Sequence, residues 1–493
     1  MKNILKYISV LVAVLLLASC DDYLDVNTDP NNPTEVSPDL VLATAQKMTA
    51  EVLSYSDVQG KRYATLANVL MRNWSQADGY NWYPDEFRYN VTSSFFDRVF
   101  EDSYYEPLKN YTVLVNLEDT KYDYYKAIAM IMRSFHFQLL VDTYGDIPYT
   151  EATLRGENAT PVYDDAQTIY EDLIVQLTAA IDVINNAEIP VAVGIDDVMF
   201  GGDMDQWKAF ANTVKLRILT RQMSMSGRAA YITAEFGVIA AEGSGYITDN
   251  AAINPGYSQQ AGKVNPFYME AGFDEGGTVT MTNNATCASD HVINYLTTTG
   301  DPRIDFIYEE PTDGHLGVVQ GLLDYDTPTP DAFVFDKVSN LGPGILKGHT
   351  QDLVIYSLAE VYFNLAEAAQ NTYVSGNAKD FYEMGIQASF DYLGAGDATA
   401  YYGQAINNVA WSSSTPLEAI ITQKWIATNS ITAEQAWFDY SRTGFPSNLP
   451  VSLTATTADI PVRLMYPASE ISANGANVPT QPNVFTTKIF WGN

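Results

Sequence analysis

Residues 121–149 read KYDYYKAIAMIMRSFHFQLLVDTYGDIPY, and this stretch decides what kind of fold the chain adopts. Its apolar residues recur at intervals of three and four, which places their side chains on one face of an α-helix. The residues on this stripe are Tyr125, Ile128, Ala129, Met132, Phe135, Leu139 and Leu140. Gly145 and Pro148 follow, and both residue types end helices. The stretch therefore predicts a long helix with one buried face, from Lys121 to Tyr144.

The same spacing recurs along much of the chain. It predicts further helices over Ala166–Ile184, over Trp207–Gln222, from near Asp352 to Ala369, and over Asp380–Leu393. Two more helix starts are predicted by capping-box patterns, Thr415-Pro416-Leu417-Glu418 and Thr432-Ala433-Glu434-Gln435. Helical pairs rich in Ala, Leu and Tyr are similar to degenerate tetratricopeptide units, although no clean 34-residue period is present. The predicted fold class is mainly α, with tetratricopeptide-like helical pairs.

Residues 243–350 differ in composition from the rest of the chain. They contain 14 of the 31 glycines, together with many Thr, Asn and Asp residues, and they lack long apolar stripes. Such a composition predicts loops with short strands or helices. A long irregular insertion on a rigid helical frame more often serves function than structure. We therefore expect this loop-rich region to face a ligand.

The first residues have the features of a bacterial lipoprotein signal. Lys2 and Lys6 supply positive charge, and an apolar run follows that is too short to span a bilayer. The run closes with Leu17-Ala18-Ser19-Cys20, which resembles a lipobox, the motif in which the cysteine is acylated and becomes the first residue of the mature protein. The sequence thus predicts a signal peptide over residues 1–19 and a lipid, such as palmitate, on Cys20. The alternative is an ordinary secretory signal followed by a chance cysteine.

Composition limits what the rest of the chain can do. Residues 20–38 are acidic, rich in Asn and interrupted by prolines, and they read as a flexible tether between the lipid and a single helical domain over 39–493. The net charge of −33 argues against nucleic acid as a partner, since phosphate binding needs a basic surface. No segment beyond the signal is long and apolar enough to cross a membrane. With Cys20 lipidated, Cys287 has no partner for an intramolecular disulfide.

Aromatic residues concentrate between Asn73 and Asn90. Six of these 18 residues are aromatic, and they alternate with amides, carboxylates, Gly79 and Pro84 without a helical stripe to absorb them. Aromatic faces stack on the apolar side of a sugar ring or anchor a peptide, while amides and carboxylates bind hydroxyl groups. The predicted ligand contacts here are Trp74, Tyr80, Trp82 and Tyr83. A second candidate group, Phe267 and Tyr268 with Phe273, lies in the loop-rich region.

No catalytic or metal-binding pattern stands out from the sequence. The four histidines, His136, His291, His315 and His349, are scattered and lack metal-site spacing. No nucleophile elbow or phosphate-binding glycine loop is present, and the context of Cys287 does not suggest a nucleophile. The sequence therefore predicts a protein that is not an enzyme and has no metal or cofactor. Trp425, Trp437 and His136 are interpreted as core residues, and Arg442 and Arg463 as members of buried ion pairs.

Several motifs resemble those of the SusD/RagB family of outer-membrane nutrient-binding lipoproteins. They follow one another in the family's order from residue 20 to residue 491. The motifs are Asn27-Thr28-Asp29-Pro30-Asn31 after the lipobox, residues 133–137 (RSFHF), 142–149 (DTYGDIPY), 423–426 (QKWI), 435–444 (QAWFDYSRTG), 461–467 (PVRLMYP) and 483–491 (NVFTTKIFW). The match is best to a SusD-like branch that is distinct from the founding starch-binding proteins, so the contact residues of those proteins are not carried over.

This resemblance implies a function and a partner. A protein of this family captures a nutrient at the cell surface and acts as the lid of a SusC-like TonB-dependent transporter in the outer membrane. An oligosaccharide is the favoured ligand on the family resemblance alone, and a peptide is the other possibility. Two alternatives remain open from the residues themselves. One is a helical-repeat adaptor that binds only proteins and organises surface enzymes, and the other is a hydrolase with an unrecognised site.

Overall fold

A computed structural model describes residues 37–56, 60–154, 158–323, 331–412 and 414–492. The predicted signal peptide over 1–19, the lipidation site Cys20 and all but the last two residues of the tether over 20–38 lie outside the described residues. Within the described ranges, no helix combines the length and the apolar composition that crossing a membrane requires.

Helices make up most of the secondary structure. In chain order they are α1 Pro38–Leu53, α2 Tyr63–Leu70, α3 Pro84–Arg88, α4 Arg98–Ser103, α5 Lys109–Val115, α6 Asp123–Tyr144, α7 Ala166–Asn186, α8 Met204–Arg221, α9 Ala229–Glu242, α10 Pro266–Ala271, α11 Met281–Ala285, α12 Asp290–Thr298, α13 Ile304–Ile307, α14 Leu358–Gln370, α15 Ala378–Leu393, α16 Thr399–Tyr402, α17 Pro416–Thr428, α18 Ala433–Thr443 and α19 Ala468–Asn474. A π-helical turn, Tyr104–Leu108, joins α4 to α5, and 3-10 turns cover Thr120–Tyr122, Asp331–Phe333 and Phe335–Lys337.

The strands are short and form three antiparallel two-stranded pairs within the described ranges. They are β1 Tyr55–Ser56, β2 Gly60–Lys61, β3 Trp74–Gln76, β4 Ala251–Ile253, β5 Thr286–Ala288 and β6 Leu353–Tyr356. β1 pairs with β2, β3 with β5 and β4 with β6. In the second pair, Trp74 lies opposite Ala288 and Gln76 opposite Thr286. Two of the three pairs therefore attach the loop-rich region to segments outside it.

Consecutive helices pack against one another, as tetratricopeptide-like pairs do. α5, α6, α7 and α8 pack in succession, and in the second half α14 packs on α15 and α17, and α17 on α18. α8 also packs on α14, which connects the two sets. All seven residues of the α6 stripe are buried, and His136 on the same helix is 1% exposed with its Nε2 2.8 Å from Thr49 Oγ1. The prediction of a mainly helical fold with paired helices is confirmed.

Two sequence predictions near helix starts are wrong in detail. The segment that begins near Asp352 was predicted as one helix, but it is a strand, β6, followed by α14. The prediction was wrong because four consecutive buried residues, Leu353 to Tyr356, fit a strand as well as a helix. Thr415 and Thr432 do occupy N-cap positions, yet neither hydroxyl makes a capping hydrogen bond. Their ψ angles of 54° and 51° depart from the extended backbone that an N-cap residue usually adopts.

A group of buried ionised side chains joins the helices, and we call it the charged core. It consists of Asp142, Arg221, Glu367, Lys424, Asp439 and Arg442, all 3% exposed or less. Asp439 pairs with the Arg221 guanidinium, and its Oδ2 lies 2.8 Å from Lys424 Nζ. Burial opposes ionisation of Asp439, but the surrounding cations outweigh it and hold its pKa well below the usual range. The ion-pair interpretation of Arg442 is confirmed, since its guanidinium binds both oxygens of Glu367 at 2.6 and 2.8 Å.

Among the described residues, Arg463 does not form the ion pair expected from the sequence. Its guanidinium donates to the backbone carbonyl of Tyr144, at the end of α6, and lies 3.5 Å from the hydroxyl of Tyr466. A side chain at Gly145 would bring a Cβ to 3.3 Å from Arg463 Nη1, and Gly145 has a φ of +80°, which favours glycine. The glycine that ends α6 therefore also makes room for Arg463.

The loop-rich region over 243–350 is built from short elements, as predicted. Several of its buried polar side chains are neutral amides that bind backbone groups, and Arg303 forms a buried ion pair with Asp301 at 2.6 Å. Gln320 Nε2 donates to the carbonyls of Val69 and Trp74 at 2.8 and 2.6 Å, and Asn283 Nδ2 donates to the carbonyl of Ala271 at 2.7 Å. Because an amide both donates and accepts, it satisfies irregular backbone that no helix or sheet pairs.

Candidate ligand-binding surface

One glutamine fixes the aromatic loop that follows β3. Gln76 is 3% exposed, and its Nε2 donates to the carbonyls of Tyr80 and Leu323 at 2.9 and 3.0 Å. Its Oε1 accepts from the backbone N–H groups of Trp82 and Tyr83 at 2.9 and 3.3 Å. A single amide thus closes the turn from Gln76 to Tyr83 and ties it to the loop-rich region.

The structure places the four aromatic candidates of this loop in two different environments. Trp74 and Tyr83 are 2% and 0% exposed, so their rings offer no surface to solvent. Trp74 Nε1 donates to Ser430 Oγ at 2.8 Å, and the Tyr83 hydroxyl lies 2.6 Å from Thr286 Oγ1. Tyr80 and Trp82 are only half-buried. Ligand contact stays a prediction for this group, and Tyr80 and Trp82 are the members with surface to make it.

Phe267 and Tyr268 lie on α10, and each is 8% exposed. The Phe267 ring centroid is 6.4 Å from that of Trp74, and the Tyr268 ring packs on His349 at 4.8 Å. Both residues therefore serve packing between segments in this structure. Phe267 also lines a small internal cavity of about 30 Å³ together with Glu434 of α18. Burial raises the pKa of Glu434 to about 7.

Two exposed apolar residues lie on segments that hydrogen-bond to the aromatic loop, and sequence reasoning missed both. Met281, 64% exposed, begins α11. The carbonyl of Ala285, the last residue of that helix, accepts a hydrogen bond from the N–H of Ala77 at 2.8 Å. Leu322, 40% exposed, comes directly before Leu323, whose carbonyl accepts a hydrogen bond from Gln76. Tyr80, Trp82, Met281 and Leu322 together form what we call the loop surface. Single apolar residues in a Thr- and Gly-rich stretch gave no periodic signal that would have pointed to them.

Polar groups lie beside these apolar side chains. Asn81 and Asp85 are exposed, and Asp78 is half-buried with its backbone N–H bound to the carbonyl of Phe333 at 2.8 Å. Asp85 Oδ1 accepts from Asn90 Nδ2 at 2.9 Å. The loop surface thus combines aromatic faces with amide and carboxylate groups that can bind hydroxyls.

Cys287 and two of the histidines are largely shielded from solvent among the described residues. Cys287 on β5 is 0% exposed, and burial raises the pKa of its thiol, which disfavours the nucleophilic thiolate. Burial lowers the pKa of His136 to about 3 and that of His291 to about 4, so both stay neutral at ordinary pH.

One group of possible cation ligands was missed by sequence spacing. Single ligand atoms of Asp305, Glu310 and His315 lie within 4.8 Å of one another. His315 already uses both ring nitrogens: Nε2 lies 2.9 Å from Asp305 Oδ1, and Nδ1 lies 3.1 Å from Ser339 Oγ. Asp305 and Ser339 therefore already engage His315, and exposed acidic groups are common without an ion.

Comparison with known proteins identifies the family. The sequence model of the SusD-like family, described as "Starch-binding associating with outer membrane", matches residues 30–467. The chain belongs to the SusD-like family. The resemblance read from the motifs is therefore confirmed, including the branch separate from the founding starch-binding proteins. No curated protein matches the chain in sequence.

Solved structures share the fold over nearly the whole chain. A chitin-binding SusD homolog from Flavobacterium johnsoniae is 21% identical, with a TM-score of 0.74, and the match covers 92% of this chain and 98% of that one. A SusD homolog from Bacteroides uniformis is 22% identical, with a TM-score of 0.72 and coverage of 92% and 99%. The SusD-like fold thus extends over the described helices, and the family is one of outer-membrane-associated binding proteins.

Proposed function

We propose that this protein binds an oligosaccharide through the loop surface and delivers it to a SusC-like TonB-dependent transporter, on which it acts as a lid. The observation that carries the proposal is the pair of half-buried rings, Tyr80 and Trp82, on a loop held in place by Gln76. A rigid aromatic surface with neighbouring amide and carboxylate groups suits pyranose rings, which have apolar faces and hydroxyl edges.

The family description and one structural relative support a glycan over a peptide. The family description refers to starch, and the relative from Flavobacterium johnsoniae is described as chitin-binding. Both are polymers of pyranose sugars. We also propose that the protein is anchored in the outer membrane through a lipid on Cys20 and faces the cell exterior, which leaves the helical domain free to move over a barrel. The transporter partnership belongs to the same proposal.

Glycan binding is tested with the full chain and a set of oligosaccharides from starch and chitin, by isothermal titration calorimetry. We expect a Tyr80→Ala/Trp82→Ala double variant to lose affinity about tenfold or more, since about 1.4 kcal/mol corresponds to a factor of ten. Tyr105→Ala is the control, because Tyr105 is 69% exposed and lies outside the loop surface. Equal affinity of the double variant and the control for a bound glycan would remove the loop surface from the proposal.

The partnership is tested by affinity purification of the lipidated protein from its own outer membrane, followed by mass spectrometry. We expect a TonB-dependent barrel in near-equal amount, with lipid on Cys20. Recovery of soluble surface enzymes in its place would contradict the lid and favour the adaptor alternative. Any oligosaccharide or peptide that co-purifies identifies the ligand class directly.

A further inference from the structure

Arg133 differs from the buried arginines of the described chain, each of which has a hydrogen-bond or ion-pair partner. It lies on α6 within the RSFHF motif and is half-buried. Within the ranges that the structure covers, its guanidinium makes no hydrogen bond and no ion pair, and its Nε is buried without a partner. The nearest ring is that of Phe137, whose centroid is 5.6 Å from Arg133 Cζ.

The contrast with neighbouring arginines shows how unusual this is. Arg217 and Arg442 each bind both oxygens of a glutamate, and Arg221 pairs with two aspartates. Arg463, without an acid partner in the part of the chain that the structure describes, donates to a backbone carbonyl. Removing the Arg133 Nε from water without a partner costs free energy, so this unpaired group needs another explanation. Burial lowers the pKa of Arg133, and the group stays charged.

The guanidinium faces a polar cavity between α6 and α7. The cavity has a volume of about 250 Å³ and is lined by Arg133, Ser134, Tyr149, Thr150, Asp172 and Gln176, among others. Asp172 does not pair with Arg133, because its Oδ2 accepts the hydroxyl of Tyr149 and lies 3.3 Å from Gln176 Nε2. The cavity therefore presents an unpaired guanidinium beside hydroxyl and amide groups and beside the Asp172 carboxylate, which Tyr149 and Gln176 already bind.

We propose that this cavity binds a carboxylate group, with Arg133 as its ion-pair partner. A carboxylate matches the guanidinium because its two oxygens can accept two parallel N–H donors, and such a pair is stronger than a neutral hydrogen bond. The volume is slightly smaller than the roughly 300–1,000 Å³ that encloses a whole small ligand, so a single acidic unit fits better than an oligosaccharide. None of the lining residues belongs to the loop surface, and the proposal does not depend on it.

A carboxylate has two sources outside the cell: a uronic acid of an acidic glycan, or the terminus of a peptide. The probes are galacturonic acid and trialanine, with galactose and amidated trialanine as their neutral counterparts. Binding to the full chain is followed by NMR titration at low ionic strength, because salt screens a partly exposed ion pair. We expect at least one acid to bind and its neutral counterpart to bind at least tenfold more weakly. If galacturonic acid binds more tightly than trialanine, the natural ligand is an acidic glycan. If trialanine binds more tightly, the natural ligand is the terminus of a peptide.

Variants separate this role from a structural one. We expect Arg133→Gln to weaken binding of the acid at least tenfold and Arg133→Lys to weaken it less. The urea midpoint of Arg133→Gln should stay unchanged or rise, since no bond within the described chain is lost. Arg228→Gln is the control, because it removes the same charge from a paired arginine, bound to Glu171 and Gln222. Failure of both acids to bind, or equal binding by Arg133→Gln, would overturn the proposal.

Discussion

The helices and the loop-rich region bury polar groups by different means. In the helical part, the charged core holds several helices together through full charges, with Asp439 bound by three cations. In the loop-rich part, neutral amides such as Asn283 and Gln320 bind backbone groups, as Gln76 does in the adjoining aromatic loop, and the buried ion pair of Asp301 with Arg303 joins residues only two apart in sequence. The buried charges connect helices that are distant in sequence, and removing one charge destabilises the fold because its partners are then buried without compensation. Amides satisfy irregular backbone one bond at a time, so this part tolerates change in its loops.

The largest effect is expected at the centre of the charged core. Asp439→Asn leaves Arg221, Lys424 and Arg442 without their shared carboxylate, and we expect the free energy of unfolding to fall by about 3–5 kcal/mol. The stabilisation from Asp439 is present above its unfolded pKa of 3.8 and is lost as the pH falls below it, because the folded pKa is depressed. Urea unfolding of the wild type and the variant, monitored by circular dichroism at pH 7 and pH 3.5, measures the loss of free energy and its dependence on pH.

Asp205→Asn is the control for this variant. Asp205 lies on α8 with its side chain 90% exposed, 3.0 Å from Lys208 Nζ, and an exposed pair of this kind contributes less than about 1 kcal/mol. Equal losses from the two variants would mean that burial and multiple partners do not distinguish the charged core from the surface.

A smaller effect is expected where the two regions meet, at Glu434. Its folded pKa of about 7 exceeds the ordinary 4.5, so the folded state favours the protonated acid. The free energy of unfolding therefore falls as the pH rises from 4.5 to 7. We expect Glu434→Gln to match the wild type at pH 4.5 and to exceed it by roughly 3 kcal/mol at pH 8. The pH dependence of the urea midpoint tests this, and parallel curves for the two proteins would refute it.

The smallest effect is expected at Gln76, which ties the aromatic loop to the loop-rich region. Gln76→Ala removes the amide that holds the aromatic loop, and we expect a loss of about 1–3 kcal/mol that does not change between pH 5 and pH 8. Glycan affinity should fall as well, because Tyr80 and Trp82 lose their support. Gln206→Ala, at an exposed position on α8, is the matched control. A pH-dependent loss for Gln76→Ala would show that charges contribute here too, and the contrast between the regions would weaken.

The sequence predicted the helices well because their apolar spacing is a direct consequence of packing on one face. α6, α7 and α15 lie within two residues of their expected bounds. The loop surface was predicted less well. An aromatic residue in a loop has the same composition signal whether it is buried, as Tyr83 is, or half-exposed, as Tyr80 is. What separates the two is the partner Thr286, which lies 203 residues away along the chain and leaves no local pattern.

The carboxylate of Asp142 receives the indole N–H of Trp491 at 2.9 Å, across 349 residues of sequence. Synthesis begins at the N-terminal end of the chain, so the residues of α6 are made long before Trp491. Until Trp491 is in place, Asp142 lacks the indole N–H that helps to stabilise its charge. The contact between Asp142 and Trp491 forms slowly, because closing so long a loop costs entropy. We expect folding intermediates to keep this part of the molecule open until late, and export chaperones to bind it there.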